Sequence, residues 1–264
     1  MKVAIAGKGG AGKTTLAAAL ARRQAVLGRP VVAVDADPDG NLAAALGVPP
    51  ARAPTAIAQL GELIRQRTGA SEDGSGLLVK LNPDVDDLPE RYSVDAGGVR
   101  LLVLGTVEAG GRGCLCPESA VLKALLQHLL LRIPDDVILD MEAGLEHLGR
   151  ASARGVDAMI TVVEPGMRSV QTAQRVRRLA EQIEIRRTFV VLNRIDQPRQ
   201  EDILVRALEG QTILGVIPYC PELARADLEG CAVDLGGGAL AAAIGCIGEA
   251  LDGQLACQAR GNGL

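Results

Sequence analysis

The chain is almost without aromatic side chains: its 264 residues hold no Trp, one Phe (Phe189) and two Tyr (Tyr92 and Tyr219). A surface that stacks nucleic-acid bases on successive rings is thereby excluded. A basic excess is lacking too. Lys and Arg total 28 against 32 Asp and Glu, a net charge of −4, so no overall footprint exists for DNA or an anionic lipid surface. No uninterrupted apolar run reaches the ~18 residues that a membrane span needs. The N-terminal apolar stretch, Val3 to Ala6, meets glycine too soon to form a secretory signal core. These absences predict a cytoplasmic protein that acts on neither nucleic acid nor membrane. Its six cysteines (Cys114, Cys116, Cys220, Cys231, Cys246 and Cys257) are then expected as reduced thiols.

What is present is a succession of short apolar runs: Val3 to Ala6, Val31 to Val34, Leu101 to Leu104, Val137 to Leu139, Met159 to Val163, Phe189 to Leu192 and Ile213 to Val216. Apart from Thr161 they contain no polar residue, the pattern of strands buried on both faces of a parallel sheet. Helical periodicity fills the intervals at about Thr14 to Leu27, Pro117 to Leu131, Val170 to Ile183 and Gln200 to Leu208. The alternation predicts an α/β fold, a single-domain doubly wound and mostly parallel sheet flanked by helices, over residues 1–256. Residues 68–99, rich in Gly, Asp and Pro, read as a surface excursion, a hairpin or loop. The chain after Asp252 reads as a frayed end, with 257–264 as a C-terminal tail.

The first apolar run leads directly into Gly7-Lys8-Gly9-Gly10-Ala11-Gly12-Lys13-Thr14-Thr15. This satisfies G-x-x-x-x-G-K-[ST] in the strand–loop–helix setting that the phosphate-binding loop requires. Backbone N–H groups of Gly9, Gly10, Ala11 and Gly12 can converge on phosphate oxygens, aided by the N-terminus of the following helix. Lys13 would reach the β- and γ-phosphates, the Thr14 hydroxyl would ligate Mg²⁺, and Thr15 completes the cradle. The chain has only five lysines against 23 arginines, yet Lys8 and Lys13 share this loop. The spelling resembles the deviant Walker A of the MinD/ParA/nitrogenase-iron-protein class of P-loop ATPases (the SIMIBI group). That resemblance implies a homodimer sandwiching ATP, with Lys8 contacting the nucleotide held by the partner subunit. It also implies that Asp37, in Val34-Asp35-Ala36-Asp37-Pro38-Asp39-Gly40-Asn41, orients the attacking water while Asp35 supports the site. Asp39 or Asn41 is expected to cap the next helix.

Three further positions are candidates for nucleotide contact. Asp140 closes a buried strand ahead of a glycine turn; it would hold Mg²⁺ through water, and Gly144 would let a backbone N–H approach the γ-phosphate. Asn193, after another strand, can pair with an adenine edge or serve only as a cap. Pro218 and Tyr219 follow the last strand, where the resembled class frames the base.

Cys114-Leu115-Cys116 precedes Pro117 at a helix entrance. Thiolates bind soft and borderline metals, but a closed tetrahedral site wants about four ligands, which a symmetric dimer would supply by pairing two such segments. By spacing alone the pair is equally read as two buried or exposed thiols. GKGGxGKTT, VDADPDGNL, GGRGCLCPE, DMEAGLEHL, VVEP, LNRID and GVIPY, in this order, resemble the CooC-type accessory ATPases. The resemblance implies an ATPase that binds nickel or zinc through Cys114 and Cys116 at its dimer interface. It further implies a role in nickel insertion into carbon monoxide dehydrogenase, with acetyl-CoA synthase as another recipient. No cysteine occurs between Asp140 and His147, so the bridging iron–sulfur cluster of the nitrogenase iron protein is not expected. The alternative from another class is a ParA- or MinD-like positioning ATPase acting on DNA or membrane. His128 reads as a helix-face residue, and Cys220, Cys231, Cys246 and Cys257 as packing thiols.

Overall fold

Strands with no polar interruption can only be accommodated with helices over both faces of the sheet. The computed structural model, which describes residues 1–38, 40–70, 80–105, 116–143, 148, 150–223, 225 and 237–259, has that arrangement. Its strands are β1 (Lys2–Gly7), β2 (Val31–Ala36), β3 (Val94–Asp95), β4 (Val99–Val103), β5 (Asp136–Met141), β6 (Ala158–Val163), β7 (Thr188–Ile195) and β8 (Thr212–Pro218). They form one sheet in the order β3-β4-β2-β5-β1-β6-β7-β8. Every pairing is parallel except β3 with β4.

The helices are α1 (Lys13–Val26), α2 (Leu42–Ala45), α3 (Gly61–Thr68), α4 (Leu88–Tyr92), α5 (Pro117–Leu131), α6 (Arg150–Ala153), α7 (Met167–Gln182), α8 (Pro198–Ala207) and α9 (Gly238–Ala259). Alternation along β1 divides the core. Val3 and Ile5 face a cluster that includes Leu16, Leu20, Ile244 and Ile247, whereas Ala4 and Ala6 face one built on Leu102, Leu125 and Leu126. Alanines 17, 18, 19 and 21 of α1 are all buried. Small side chains let that helix lie close on the sheet directly behind the phosphate loop.

Two segments differ from the sequence reading. Residues 80–99 carry α4 and the β3–β4 hairpin, and they also send Val85 and Leu88 into the core. Of the hairpin-or-loop alternatives this part of 68–99 takes the hairpin, and it covers the core rather than standing off it as a surface excursion. The end expected to fray after Asp252 is helical to Ala259. Leu240, Ile244, Ile247 and Leu251 of α9 are buried against the fold. Asp252 takes Arg23 at 3.1 Å and Arg29 at 3.2 Å. Gly215 of β8 allows the close approach, since a Cβ there would lie 2.7 Å from Ile247 Cγ1. By length and composition the span Gly238–Cys257 is apolar enough to cross a membrane; here its branched side chains pack on the sheet. Cys246 and Cys257 are exposed, not packing thiols, because they lie on the opposite side of α9 from that stripe.

Candidate nucleotide and metal site

All the parallel strands end on one edge of the sheet, the edge where open α/β sheets hold ligands. The loop after β1 turns there through a hydrogen bond from Ala11 N to Lys8 O, 3.1 Å. Gly12 enters α1 in the left-handed region with φ 96°, and a Cβ on it would strike the Asn193 amide nitrogen. Glycine is thus required at position 12 on two counts.

Lys13 is buried, and its Nζ lies 3.2 Å from Asp37 Oδ2. Asp35 reaches the same place from the end of β2. Its two oxygens accept from Leu42 N at 3.0 Å and Asp37 N at 3.3 Å, so one carboxylate ties the start of α2 to the Asp37 turn. Asn41 makes no side-chain cap bond. The capping expected of it falls to Asp35, whose buried oxygen has no water to compete for it, and Asp39 lies outside the described residues. Burial raises the Asp35 carboxyl to about 6, against the two backbone donors.

Asp140 is the register partner of Asp35 on the adjacent strand. It is completely buried, with the Thr14 hydroxyl beside its carboxylate. Burial lifts its pKa to about 7; the Thr14 hydroxyl and Lys13 pull it down, while Asp35 and Asp37 push it further up. Three carboxylates therefore converge on one ammonium and one hydroxyl. A buried carboxylate beside the hydroxyl of a phosphate loop is a donor set for a hard divalent cation, so the residues present fit Mg²⁺. Thr14 and Thr15 are both half-buried at the mouth of α1.

On the far side of β1, Asn193 of β7 is buried and donates from Nδ2 to Ala11 O at 2.7 Å, while its Oδ1 accepts from Arg194 N at 3.0 Å. The amide nitrogen thus braces the phosphate loop while its oxygen caps the next N–H of its own strand; the brace is a role beyond the pairing-or-capping alternatives. Pro218 ends β8, and Tyr219 beside it is exposed and hydrogen-bonded through its N–H to Ile195 O at 2.9 Å. Two site residues escaped the sequence reading. Glu164, just after β6, receives Lys8 Nζ at 2.7 Å and Arg194 Nη1 at 3.3 Å. The signal that marked Asp140, an acid closing a buried strand, is equally present at Glu164.

Cys116 is the N-cap of α5, at the helix end joined to β4. Its Sγ accepts from Ser119 N at 3.4 Å, and the thiol lies 3.0 Å from Ser119 Oγ. Cys114, Gly144, His147 and Cys231 lie outside the described residues. Among the described residues no group of three or more His, Cys, Asp or Glu is arranged to hold a metal ion. His128 sits near the other end of α5, with its Nδ1 2.8 Å from Asp86 Oδ1 in a cleft of about 470 Å³.

Residues 2–233 match the model of the CobQ/CobB/MinD/ParA nucleotide binding domain. The chain is 43% identical over 232 residues to the carbon monoxide dehydrogenase accessory protein CooC of Rhodospirillum rubrum, covering 87% of this chain and 88% of that one. It is 41% identical over 238 residues to an uncharacterized ATP-binding protein of Methanocaldococcus jannaschii, covering 89% and 91%. Among solved structures, MinD in the MinC:MinD cell division complex of Aquifex aeolicus superposes with a TM-score of 0.69 at 23% identity, over 96% of this chain and 95% of that one. At that identity the likeness speaks to the fold.

Proposed function

The chain belongs to the CobQ/CobB/MinD/ParA nucleotide-binding family and is an ATPase; on that premise we propose that its nucleotide cycle drives nickel delivery to carbon monoxide dehydrogenase. Two subunits close on Mg-ATP and hold the metal cargo, nickel or zinc, between their Cys114 and Cys116 pairs. The observation that carries this reading is the position of Cys116, a free thiol capping α5 on the sheet edge that also bears Lys13 and Asp140. A movement of that edge on nucleotide binding is then felt directly by the metal ligands.

The residues divide the work. Gly9, Gly10, Ala11, Gly12 and Thr15 cradle the phosphates with backbone N–H groups, and Lys13 leaves Asp37 to bind the β- and γ-phosphates. Thr14 and Asp140 would hold Mg²⁺, which neutralises phosphate charge when bound; Gly144 offers a backbone N–H to the γ-phosphate. Asp37, released from Lys13, orients the attacking water, and Asp35 keeps that turn in register through Leu42 N. Lys8 reaches across the dimer to the partner's nucleotide. Asn193 braces the loop, and Pro218 borders the base. Acetyl-CoA synthase offers a second nickel recipient of the same kind.

Light scattering with zinc or nickel titrated in, with and without a non-hydrolysable ATP analogue, tests the reading on wild type and on the Cys114→Ser/Cys116→Ser double variant. One metal per dimer, lost in the double variant, is the expected result. A dimer that forms with nucleotide but ignores both metal and cysteines would overturn it. A positioning ATPase acting on DNA has one feature in its favour: Arg168, Arg175 and Arg178 line the exposed side of α7. Nucleotide-dependent retention of DNA at physiological salt would favour that second reading.

A further inference from the structure

Three neighbouring strand ends bring Lys8, Glu164 and Arg194 together beside the phosphate loop. Gly7 of β1 is in register with Val162 of β6, and Val163 with Leu192 of β7. The next residues along each strand then converge, and the Glu164 carboxylate bridges the two cations, one per oxygen. The Glu164 side chain is 18% exposed, against 42% for Lys8 and 51% for Arg194. The acid is the more buried member and the two bases are the more exposed ones. Its backbone is fixed independently, because Glu164 N donates to Ser169 Oγ at 3.2 Å. Arg194 is placed by an uncommon conformation for a side-chain-bearing residue, φ 60°, with its N–H on Asn193 Oδ1.

An ammonium held 2.7 Å from a carboxylate of its own subunit is not available to a phosphate of another. The geometry points to Glu164 as a positioning residue that parks Lys8 in the separate subunit, with Arg194 as the standby cation that keeps the carboxylate neutralised once Lys8 departs. This rests on the reading above, in which Lys8 contacts the partner's nucleotide. Without Arg194, release of Lys8 would strand a largely buried carboxylate, which is costly. With Arg194 the exchange leaves Glu164 paired in both states, so the barrier to closing the dimer is a swap of partners. Monomer and dimer then differ chiefly in which anion Lys8 meets, and only the γ-phosphate face of a partner can compete for it.

A half-exposed ion pair shifts an equilibrium by about two- to fivefold. Two such pairs open for each dimer, so Glu164→Gln is expected to tighten nucleotide-dependent dimerisation by about four- to 25-fold. Arg194→Ala should shift it the other way, because the remaining carboxylate holds Lys8 more firmly. Sedimentation of the full chain with Mg²⁺ and a non-hydrolysable ATP analogue measures both, alongside Lys8→Ala and Lys8→Ala/Glu164→Gln. The expected pattern is tightening by Glu164→Gln that disappears in the Lys8→Ala background, with ADP affinity of the monomer unchanged. If Lys8→Ala weakens the dimer but Glu164→Gln leaves it the same or weaker, the parking role is refuted and the cross-subunit role of Lys8 stands. Tightening that persists without Lys8 also refutes it. If Lys8→Ala leaves the dimer unaffected, the cross-subunit role fails and the parking role falls with it. The opposite signs expected for Glu164→Gln and Arg194→Ala separate the effect from a general loss of folding.

Discussion

Replacing Asp140 by Asn is expected to stabilise the nucleotide-free protein while removing most of its ATP hydrolysis. Asp140 is buried beside the Thr14 hydroxyl, and its carboxyl is lifted from 3.8 to about 7, chiefly by burial. A gap of about three pKa units at 1.36 kcal/mol each places the cost of its charge near 4 kcal/mol above pH 7. A carboxyl whose folded pKa exceeds its unfolded one binds its proton more tightly when folded. Stability therefore falls as pH rises from about 4 through 7, and the whole cost is present at pH 8. A neutral Asn amide stands in the same place as the protonated carboxyl, so the gain at pH 8 is set by the charge and reaches about 4 kcal/mol at most. Urea unfolding of wild type and Asp140→Asn at pH 8 and pH 5, without nucleotide or Mg²⁺, measures this. The gain should be full at pH 8 and fall to less than about half of that at pH 5. Hydrolysis should drop about 100-fold, since a charge that balances the metal is lost. A loss of stability at pH 8, or an equal gain at both pH values, would refute the electrostatic account.

Asn193→Ala removes the bond to Ala11 O and leaves that buried carbonyl unpaired. It should lower stability by about 1–3 kcal/mol and weaken binding of an ATP analogue, read by thermal unfolding and calorimetry on the same samples. Gly215→Val forces β8 and Ile247 apart; a loss of about 1–3 kcal/mol with earlier proteolysis within α9 is expected, while nucleotide affinity is retained. Lys13→Ala should abolish measurable hydrolysis and lower the thermal midpoint of the nucleotide-free protein, since losing one partner of a buried ion pair costs about 3–5 kcal/mol.

The parallel strands are legible in the sequence because burial on both faces removes polar residues from the run, which leaves a mark as plain in Val137 to Leu139 as in Val31 to Val34. The phosphate loop is legible for a different reason: backbone chemistry dictates its glycines. The helix α9 was not recognised, since Gly245, Gly248 and Gly253 lower its helix propensity and alanines blur its periodicity. Its apolar stripe, Leu240, Ile244, Ile247 and Leu251, is nonetheless spaced as a helix face would be. The Lys8–Glu164–Arg194 cluster and the Asn193 brace depend on which strands lie side by side. No local pattern carries that information: β1 has β6 as its neighbour although four strands, β2 to β5, come between them in the chain.

The contact between Lys13 and Asp37 makes the phosphate site its own competitor. Any phosphate entering the loop must displace a carboxylate already seated on the ammonium, so intrinsic affinity is discounted by the strength of that contact. The same discount acts in reverse at the end of a turnover. On the roles proposed for Lys13 and Asp37, the carboxylate would return once the γ-phosphate is gone and would help to expel what remains. A weak-binding ground state and a ready reset are thus two aspects of one internal ligand.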